Sequence, residues 1–309
     1  MTTQTPTQPG TSQPAAGPGA PGSTPYPDIA DTSHATAAAA AFFGSFFTAK
    51  TRRDIEATHA QFHPGKTVYI DATLGWALTS NAEVRAMWEQ YMPQWPAGAK
   101  SYPTRILGDM TSAVVFTTDT PELFGGEIRT ISIGDLEDGK IVRLVDYWDG
   151  RGFGAKLAAS LRVPADAYPH DLGASTVTSR PGPVATAAAE LTAAFAAGDA
   201  DRAGQLFSYD AVFEDMALRA QVRGQAAIVR YLRRALPGLP YAWASVRHVA
   251  GAGQGGGYEW RTDGQPVAVG AAALELSPDG KITKFTVVWD GSLLDDAAIT
   301  ALAADAADR

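Results

Sequence analysis

No cysteine occurs in the 309 residues. Disulfides, thiolate metal sites and a cysteine nucleophile are therefore excluded together, although the redox compartment is not fixed by that absence. Nor does any uninterrupted apolar run approach the ~20 residues that a bilayer span needs. Basic residues are the minority, 25 against 33 acidic, for a net charge of −8 and a pI of about 5.1. That is the wrong sign for gripping a phosphate backbone or an anionic membrane surface. What is present is ordinary globular composition, 45% hydrophobic and 19% charged, which excludes a chain disordered throughout. The length suits two domains of roughly 100–200 residues each.

Residues 1–34 are Thr, Gln, Pro, Gly, Ser and Ala with almost no large apolar side chain. Such a segment cannot bury enough surface to offset its conformational entropy, so it reads as a disordered tail. It is not a secretory leader, because the first basic residue is Lys50 and no apolar run follows a positive start. A cytoplasmic location is the expectation. A second polar, proline-punctuated stretch at 164–183 reads as a linker between domains at 35–163 and 184–309.

The two halves repeat each other. Val68-Tyr69-Ile70-Asp71 has its counterpart in Val212-Phe213-Glu214-Asp215, at an offset of 144 that persists to Trp95-Pro96 and Leu239-Pro240. Within this block Val84, Met87 and Trp88 fall on Ile228, Tyr231 and Leu232, whose i, i+3, i+4 spacing turns one helical stripe toward a core in both copies. Ser80 with Glu83 forms a capping box that starts the helix. Further on, Gly139-Lys140-Ile141 matches Gly280-Lys281-Ile282, and Trp148-Asp149-Gly150 matches Trp289-Asp290-Gly291, now at an offset of 141. Each copy reads as helix, helix, strand, helix and then several antiparallel strands, an α+β pattern with helices on one face of a curved sheet.

In the second copy, Ala197-Gly198-Asp199, Leu206-Phe207, Phe213-Glu214-Asp215-Met216 and Gly224-Gln225-Ala226-Ala227-Ile228 resemble the nuclear-transport-factor-2-like superfamily. That superfamily includes ketosteroid isomerase, limonene epoxide hydrolase and the SnoaL-type polyketide cyclases. The first copy resembles the epoxide hydrolase branch through Tyr69-Ile70-Asp71, Asp119 and Gly139-Lys140-Ile141 running into Asp146-Tyr147-Trp148-Asp149. The resemblance spans nearly all of 36–155 and 184–305. It implies two cone-shaped domains, each with a sheet-lined pocket, arranged as an intramolecular pseudo-dimer or a homodimer.

Alternation along the last strand places Val142, Leu144, Asp146 and Trp148 on one face and Ile141, Arg143, Val145 and Tyr147 on the other. Arg143 and its counterpart Lys284 mark the second face as the solvent side, so Asp146 should face the core, where the sister copy has Val287. A carboxylate there needs a partner or a raised pKa; the alternative is a surface aspartate on a strand of inverted register. Asp71 and Asp215 occupy equivalent positions and share a face with Tyr69 and Phe213. Each is either a site carboxylate or an aspartate that ends a strand and opens a turn. The resemblance gives Asp71 the position of ketosteroid isomerase's general base and of the residue that orients water in the epoxide hydrolase. It matches Asp119 to the second aspartate of the hydrolase set. The family's arginine two residues earlier is replaced by Thr117, and Asp119 reads equally well as a surface residue before Thr120-Pro121. By offset, Trp260 falls where Asp119 would align, and Ile131 and Ala272 fall at the oxyanion aspartate of ketosteroid isomerase, which disfavours steroid-type isomerisation.

Other signals are weak. His59 and His63 are four apart but lack an evident third ligand, so no metal is expected. Gly251 to Gly257 contains G-x-G-x-x-G, yet strand-like Tyr258-Glu259-Trp260 follows it, which suits a hairpin turn and not a dinucleotide site. The expectation is a cofactor-independent acid–base enzyme acting on a hydrophobic small molecule, without nucleic acid or membrane partners. Its reaction would be epoxide opening, in a hydrolase or cyclase, with SnoaL-type aldol closure or a non-catalytic binding module as alternatives. Asp71, Asp119 and Asp146 are the catalytic candidates, Asp71 as base or water-orienting group, Asp146 as acid and Asp119 as its partner. Tyr69, Trp76, Trp88, Trp148 and Asp215 are the binding candidates.

Overall fold

A computed structural model of the chain describes residues 25–307. Its first unit begins with α1 (Ala37–Arg52) and α2 (Ile55–His59), followed by β1 (Val68–Asp71), β2 (Trp76–Leu78) and α3 (Asn81–Tyr91). Four longer strands complete it: β3 (Ser101–Gly108), β4 (Ser112–Asp119), β5 (Ile128–Glu137) and β6 (Lys140–Trp148). The sheet order is β2-β1-β6-β5-β4-β3. Every pairing is antiparallel except β1 with β6. That parallel pair sets Asp71 beside Asp146.

The second unit repeats the order. After α4 (Pro121–Phe124) and α5 (Ala155–Leu161) in the first unit come α6 (Pro183–Ala196), α7 (Ala200–Gln205), β7 (Phe207–Asp215), β8 (Ala220–Arg223) and α8 (Gln225–Ala235). Strands β9 (Ser245–Ala252), β10 (Gly255–Arg261), β11 (Val269–Leu276) and β12 (Ile282–Trp289) follow, and α9 (Asp296–Asp305) ends the described chain. The order β8-β7-β12-β11-β10-β9 is that of the first sheet, element for element. Register shifts at Pro103/Arg105, Asp135/Leu136, Glu259/Trp260 and Glu275/Leu276 bend the sheets, as bulges do, and give each unit its cone.

The helices form where the local chemistry starts them. Thr36 accepts from the Ala39 amide at the start of α1, and Ser80 accepts from the Glu83 amide at the start of α3. Glu83 reaches back to the Thr79 amide, one residue before the position a reciprocal capping box would use. Helices α1 and α3 lay Phe43, Phe46, Phe47, Val84 and Trp88 on one face of the first sheet, with Ile106, Val115 and Leu144 beneath them.

The other face of that sheet meets the second sheet. Val68, Ile70, Val114, Ile133 and Val145 form one core with Ala250, Ala271, Ala273 and Val288. Small residues let the backbones of the two sheets approach: a Cβ on Gly108 of β3 would stand 3.0 Å from the Gly251 Cα of β9. This arrangement corrects the reading of Arg143 as a solvent marker. Arg143 is fully buried, because the face opposite the helices is covered by the second unit and not by water. Lys284, its counterpart, is part-exposed and lies 3.7 Å from Glu214.

The supposed linker is part of this joint. Tyr168 donates to the Ala72 carbonyl at 2.6 Å, and the Leu172 carbonyl accepts from Arg143 Nε at 2.9 Å. The glycine-rich stretch lies in the β9–β10 hairpin, as its sequence context suggests. The expected tail boundary at residue 34 is too late. Tyr26 is buried, donates to the Gly44 carbonyl and stacks on Tyr102, while the Asp31 carbonyl accepts from the Ile106 amide. Residues 1–24 of that expectation lie outside the described residues.

Candidate active site

The helix-covered face of the first sheet carries the polar residues that sequence alternation placed inward. Asp146, on β6, accepts from the Tyr69 hydroxyl at 2.8 Å and from the Ser132 hydroxyl at 2.5 Å. Ser132 lies opposite Asp146 on β5, and Tyr69 lies two residues before Asp71 on β1. Burial pushes the Asp146 carboxyl above its ordinary pKa, while nearby Lys50 and the two hydroxyl donors oppose the rise. Burial also holds the Tyr69 phenol well above 10, reinforced by the charge of Asp146, so Tyr69 stays a donor at neutral pH. Tyr69 in turn stands between Phe62 and Trp88, with ring centroids at 6.3 and 6.0 Å.

Asp119, at the end of β4, lies 4.0 Å from the Lys50 ammonium group. It is not a surface residue: its side chain and that of Lys50 are each 14% exposed. Lys50 also sits over the rings of Phe47 and Trp88. A cation thus stands beside Asp119, supplied by α1 and not by the strand position where Thr117 stands. Nothing in the local sequence marked it, because a lysine in the last turn of a helix is commonplace.

Asp71 has a different setting. Its Oδ1 accepts from the Thr73 and Leu74 amides at 3.0 and 2.9 Å, which closes the β1–β2 turn. Its Oδ2 accepts from Trp148 Nε1 at 3.0 Å. Burial drives its pKa up to about 7, against these three donors, and Asp146 beside it adds to the rise. Asp215 repeats the pattern in the second unit, accepting from the Leu218 amide, Trp289 Nε1 and the Tyr241 hydroxyl, with its pKa raised by burial to about 6. The aspartate–tryptophan bond is therefore common to both units. Trp76 packs with Trp148 and Leu74 and donates to the Leu161 carbonyl, which ties α5 to the sheet.

Strand register revises two alignments. Asp146 pairs with Ser132, which pairs with Val115; Val287 pairs with Ala272, which pairs with Tyr258. Ser132, and not Ile131, is thus the counterpart of Ala272. Two residues outward, Thr117 and not Asp119 corresponds to Trp260. A constant sequence offset fails here because the bulges and turns of the two sheets differ in length. Ile131 lies on the inter-sheet face.

The units differ in what fills the space under their helices. In the first, Tyr69, Asp71, Asp119, Asp146 and Lys50 are all part-exposed. In the second, Asp215, Tyr231, Tyr241, Trp260, Phe285 and Trp289 are almost wholly buried against one another. A separate cleft of about 440 Å³ lies between the units, walled by Tyr147, Trp148, Tyr168, Val269 and Trp289. Its buried carboxylate, Asp290, is paired with Arg162. The candidate acid–base groups are thus in the first cone, and the cleft adjoins Asp71 through Thr73 and Trp148, both of which donate to it. His59 contacts the Asn81 carbonyl, and His63 accepts from the Gly65 and Lys66 amides. Among the described residues no group of three or more His, Asp or Glu is placed to hold a metal ion, and no helix is long and apolar enough to cross a membrane.

No curated protein matches the chain. Among solved structures, it is similar to a steroid delta-isomerase from Pseudomonas aeruginosa at 18% identity, covering 42% of this chain and 93% of that one, with a TM-score of 0.32. A SnoaL-like protein of unknown function from Burkholderia thailandensis aligns at 16% identity over 35% of this chain and 96% of that one, with a TM-score of 0.31. An NTF-2 like protein of unknown function from Burkholderia xenovorans aligns at 24% identity over 35% and 83%, with a TM-score of 0.30. Residues 188–285 match the SnoaL-like domain family. The second unit is a SnoaL-like domain, and the first repeats its order of helices and strands.

Proposed function

We propose that the first unit is a cofactor-independent acid–base enzyme for an apolar small molecule, and that its reaction is the opening of an epoxide by water or by an internal hydroxyl. The observation that carries this reading is Asp146. It is a carboxylate with a raised pKa, oriented by Tyr69 and Ser132, part-exposed, and replaced by the buried Val287 in the closed unit. Two hydroxyl donors favour its ionised form while burial favours the neutral one and prevails, so Asp146 holds a proton more tightly than an exposed aspartate does, as a group that exchanges protons with a substrate must. Tyr69, Phe62 and Trp88 supply an apolar wall, and Lys50 with Asp119 supplies a polar end. Asp71, held by three donors, shapes the floor and raises the local negative charge.

A second reading is intramolecular aldol closure with Asp146 as the sole acid–base residue. It is favoured by the bonding of Asp71, whose two oxygens are already engaged in a turn and a tryptophan contact that the closed unit shares. Incubation with a panel of hydrophobic epoxides in ¹⁸O-labelled water separates the two. A diol carrying one labelled oxygen establishes hydrolysis, and a cyclic ether without label from a hydroxy-epoxide establishes internal opening. Inertness toward every epoxide, with closure of a poly-β-ketone, refutes the epoxide reading.

A further inference from the structure

We propose that Lys50 is the group that receives the negative charge developing on the substrate, donating to a substrate oxygen lodged between its ammonium group, Asp146 and the aromatic wall. This rests on the acid–base reading above and names its electrophilic partner. The substrate class that follows is a neutral, largely apolar molecule presenting an acceptor oxygen, as an epoxide or a carbonyl does.

The ordinary role for a lysine in the last turn of a helix is to extend into water and interact with the helix dipole. Lys50 does not extend. Its side chain is 14% exposed, and Nζ lies 5.4 Å from the Phe47 ring centroid and 5.8 Å from that of Trp88. Its carboxylate neighbour, Asp119 Oδ1, is 4.0 Å away, beyond hydrogen-bond reach. Asp119 Oδ1 and Trp88 Nε1 are themselves buried without a hydrogen-bond partner among the described residues. Two polar groups beside the Lys50 ammonium group thus have their directional bonds unmade, in a place where leaving them unmade is costly. An ion pair serving structure alone would close to about 2.8 Å, as Arg143 and Glu259 do elsewhere in this chain. The 4.0 Å spacing instead leaves the donors of the ammonium group uncommitted to Asp119, so that a substrate acceptor can take one.

In epoxide opening the atoms balance as follows. Asp146 takes the proton of the attacking hydroxyl as its oxygen bonds to the ring carbon. The ring C–O bond breaks with its electron pair going to the ring oxygen, and that oxygen takes a proton from Lys50. Solvent then carries the Asp146 proton back to Lys50. In an aldol closure the same ammonium group would stabilise the enolate oxygen. Either way Asp146, expected from sequence to be the acid, acts as the base, and Asp119 is the counterion of Lys50.

The test is binding of 4-nitrophenol, whose phenolate is read by its visible absorbance, to the full chain carrying Asp146→Asn, an amide that mimics the neutral acid. The bound phenol should ionise at lower pH than the free one. Adding Lys50→Met should weaken phenolate binding about 10- to 100-fold, the worth of a hydrogen bond to a charged group, whereas Lys50→Arg should retain most of it. Asp119→Asn, which removes the competing anion, should tighten it, and this variant carries the test if the methionine variant does not fold. Equal phenolate affinity with Met at 50, weaker affinity with Asn at 119, or no phenolate binding at all overturns the proposal. Because the readout is binding and not turnover, it is decided independently of the isotope experiment.

Discussion

Arg143 Nη2 donates to both carboxylate oxygens of Glu259, at 2.8 and 2.7 Å, and both side chains are wholly buried between the two sheets. Arg143 also reaches Asp135 at 3.3 Å and the Leu172 carbonyl, and His248 closes the network onto Asp135 at 3.0 Å. The contacts run between β6 and β5 of the first unit and β10 and β9 of the second, so the joint between units is charged at its centre within an apolar surround.

Removing one partner of such a pair leaves the other buried and uncompensated. Arg143→Met should destabilise the protein by about 3–5 kcal/mol, because Glu259 and Asp135 then lose their cation. Arg143→Met combined with Glu259→Leu should recover much of that loss, since apolar replacements in a dry interface are often neutral. Urea midpoints at an unchanged slope measure both. A double variant as unstable as the single one would mean that Asp135 or the geometry of the joint, and not the orphaned Glu259, sets the cost.

Asp71 and Asp215, whose carboxyl pKa values rise on folding, make stability fall as pH rises. Asp71 ionises at about 7 and Asp215 at about 6 in the folded chain, against about 3.9 when unfolded. Between those values the native state binds more protons than the unfolded state, so unfolding free energy declines with pH. Their contribution is complete below about pH 4 and is lost through about pH 6 and 7. Asp71→Asn should flatten the melting-temperature profile over pH 4 to 7, at the expense of one bond to Trp148. A wild-type profile rising across that window would contradict both shifts.

The repeat, the inward face of β6 and the Asp146–Val287 difference were legible because a period of two and a recurring motif are local signals. What covers the opposite face was not. Alternation separates two faces but does not say whether water or another sheet lies beyond, so Arg143 read as exposed. Lys50 escaped notice because its partners come from β4 and α3, and proximity of that kind is a tertiary fact. Asp71 carried two readings, site and turn, and its bonds to the Thr73 and Leu74 amides show the turn. The recurring Trp-Asp-Gly also gains a reason: the Gly150 amide donates to Asp290 Oδ1 across the joint, and a Cβ on Gly291 would collide with Arg151. The two motifs meet each other, which a motif read within one copy does not reveal.

Closure of the second unit depends on Trp260 lying against the backbone of β11. A Cβ at Gly270 would stand 2.3 Å from Trp260 Cζ2 and 2.6 Å from the Val288 carbonyl oxygen. Trp260 is wholly buried and has no room to swing aside. Gly270→Ala should therefore cost about 1–3 kcal/mol by overpacking, and tryptophan fluorescence should report the disturbed indole. An unchanged midpoint with unchanged fluorescence would show that the strand shifts freely to accommodate the methyl group.

If the chemistry resides in the first unit, the two units must respond differently to loss of a carboxylate. Asp146→Asn keeps the shape of the side chain and its contact with Tyr69 but removes the titrating proton. It should lower turnover by about 10²–10⁴, the usual worth of a general acid–base group, with little change in melting temperature. Tyr69→Phe removes one of the two hydroxyls that orient Asp146 and should act in the same direction but less severely. Asp215→Asn should instead reduce stability and spare turnover, because its carboxylate is enclosed by Tyr241, Trp289 and Phe285, where no substrate can reach it. Asp71 and Asp146 are neighbours whose charges interact. The rate profile against pH should therefore be fitted to the pair and not to either residue alone. Turnover of the three variants on whichever epoxide proves to be a substrate, alongside their melting temperatures, provides the comparison. Greater damage to turnover from Asp215→Asn than from Asp146→Asn would place the reaction in the second unit and refute the assignment.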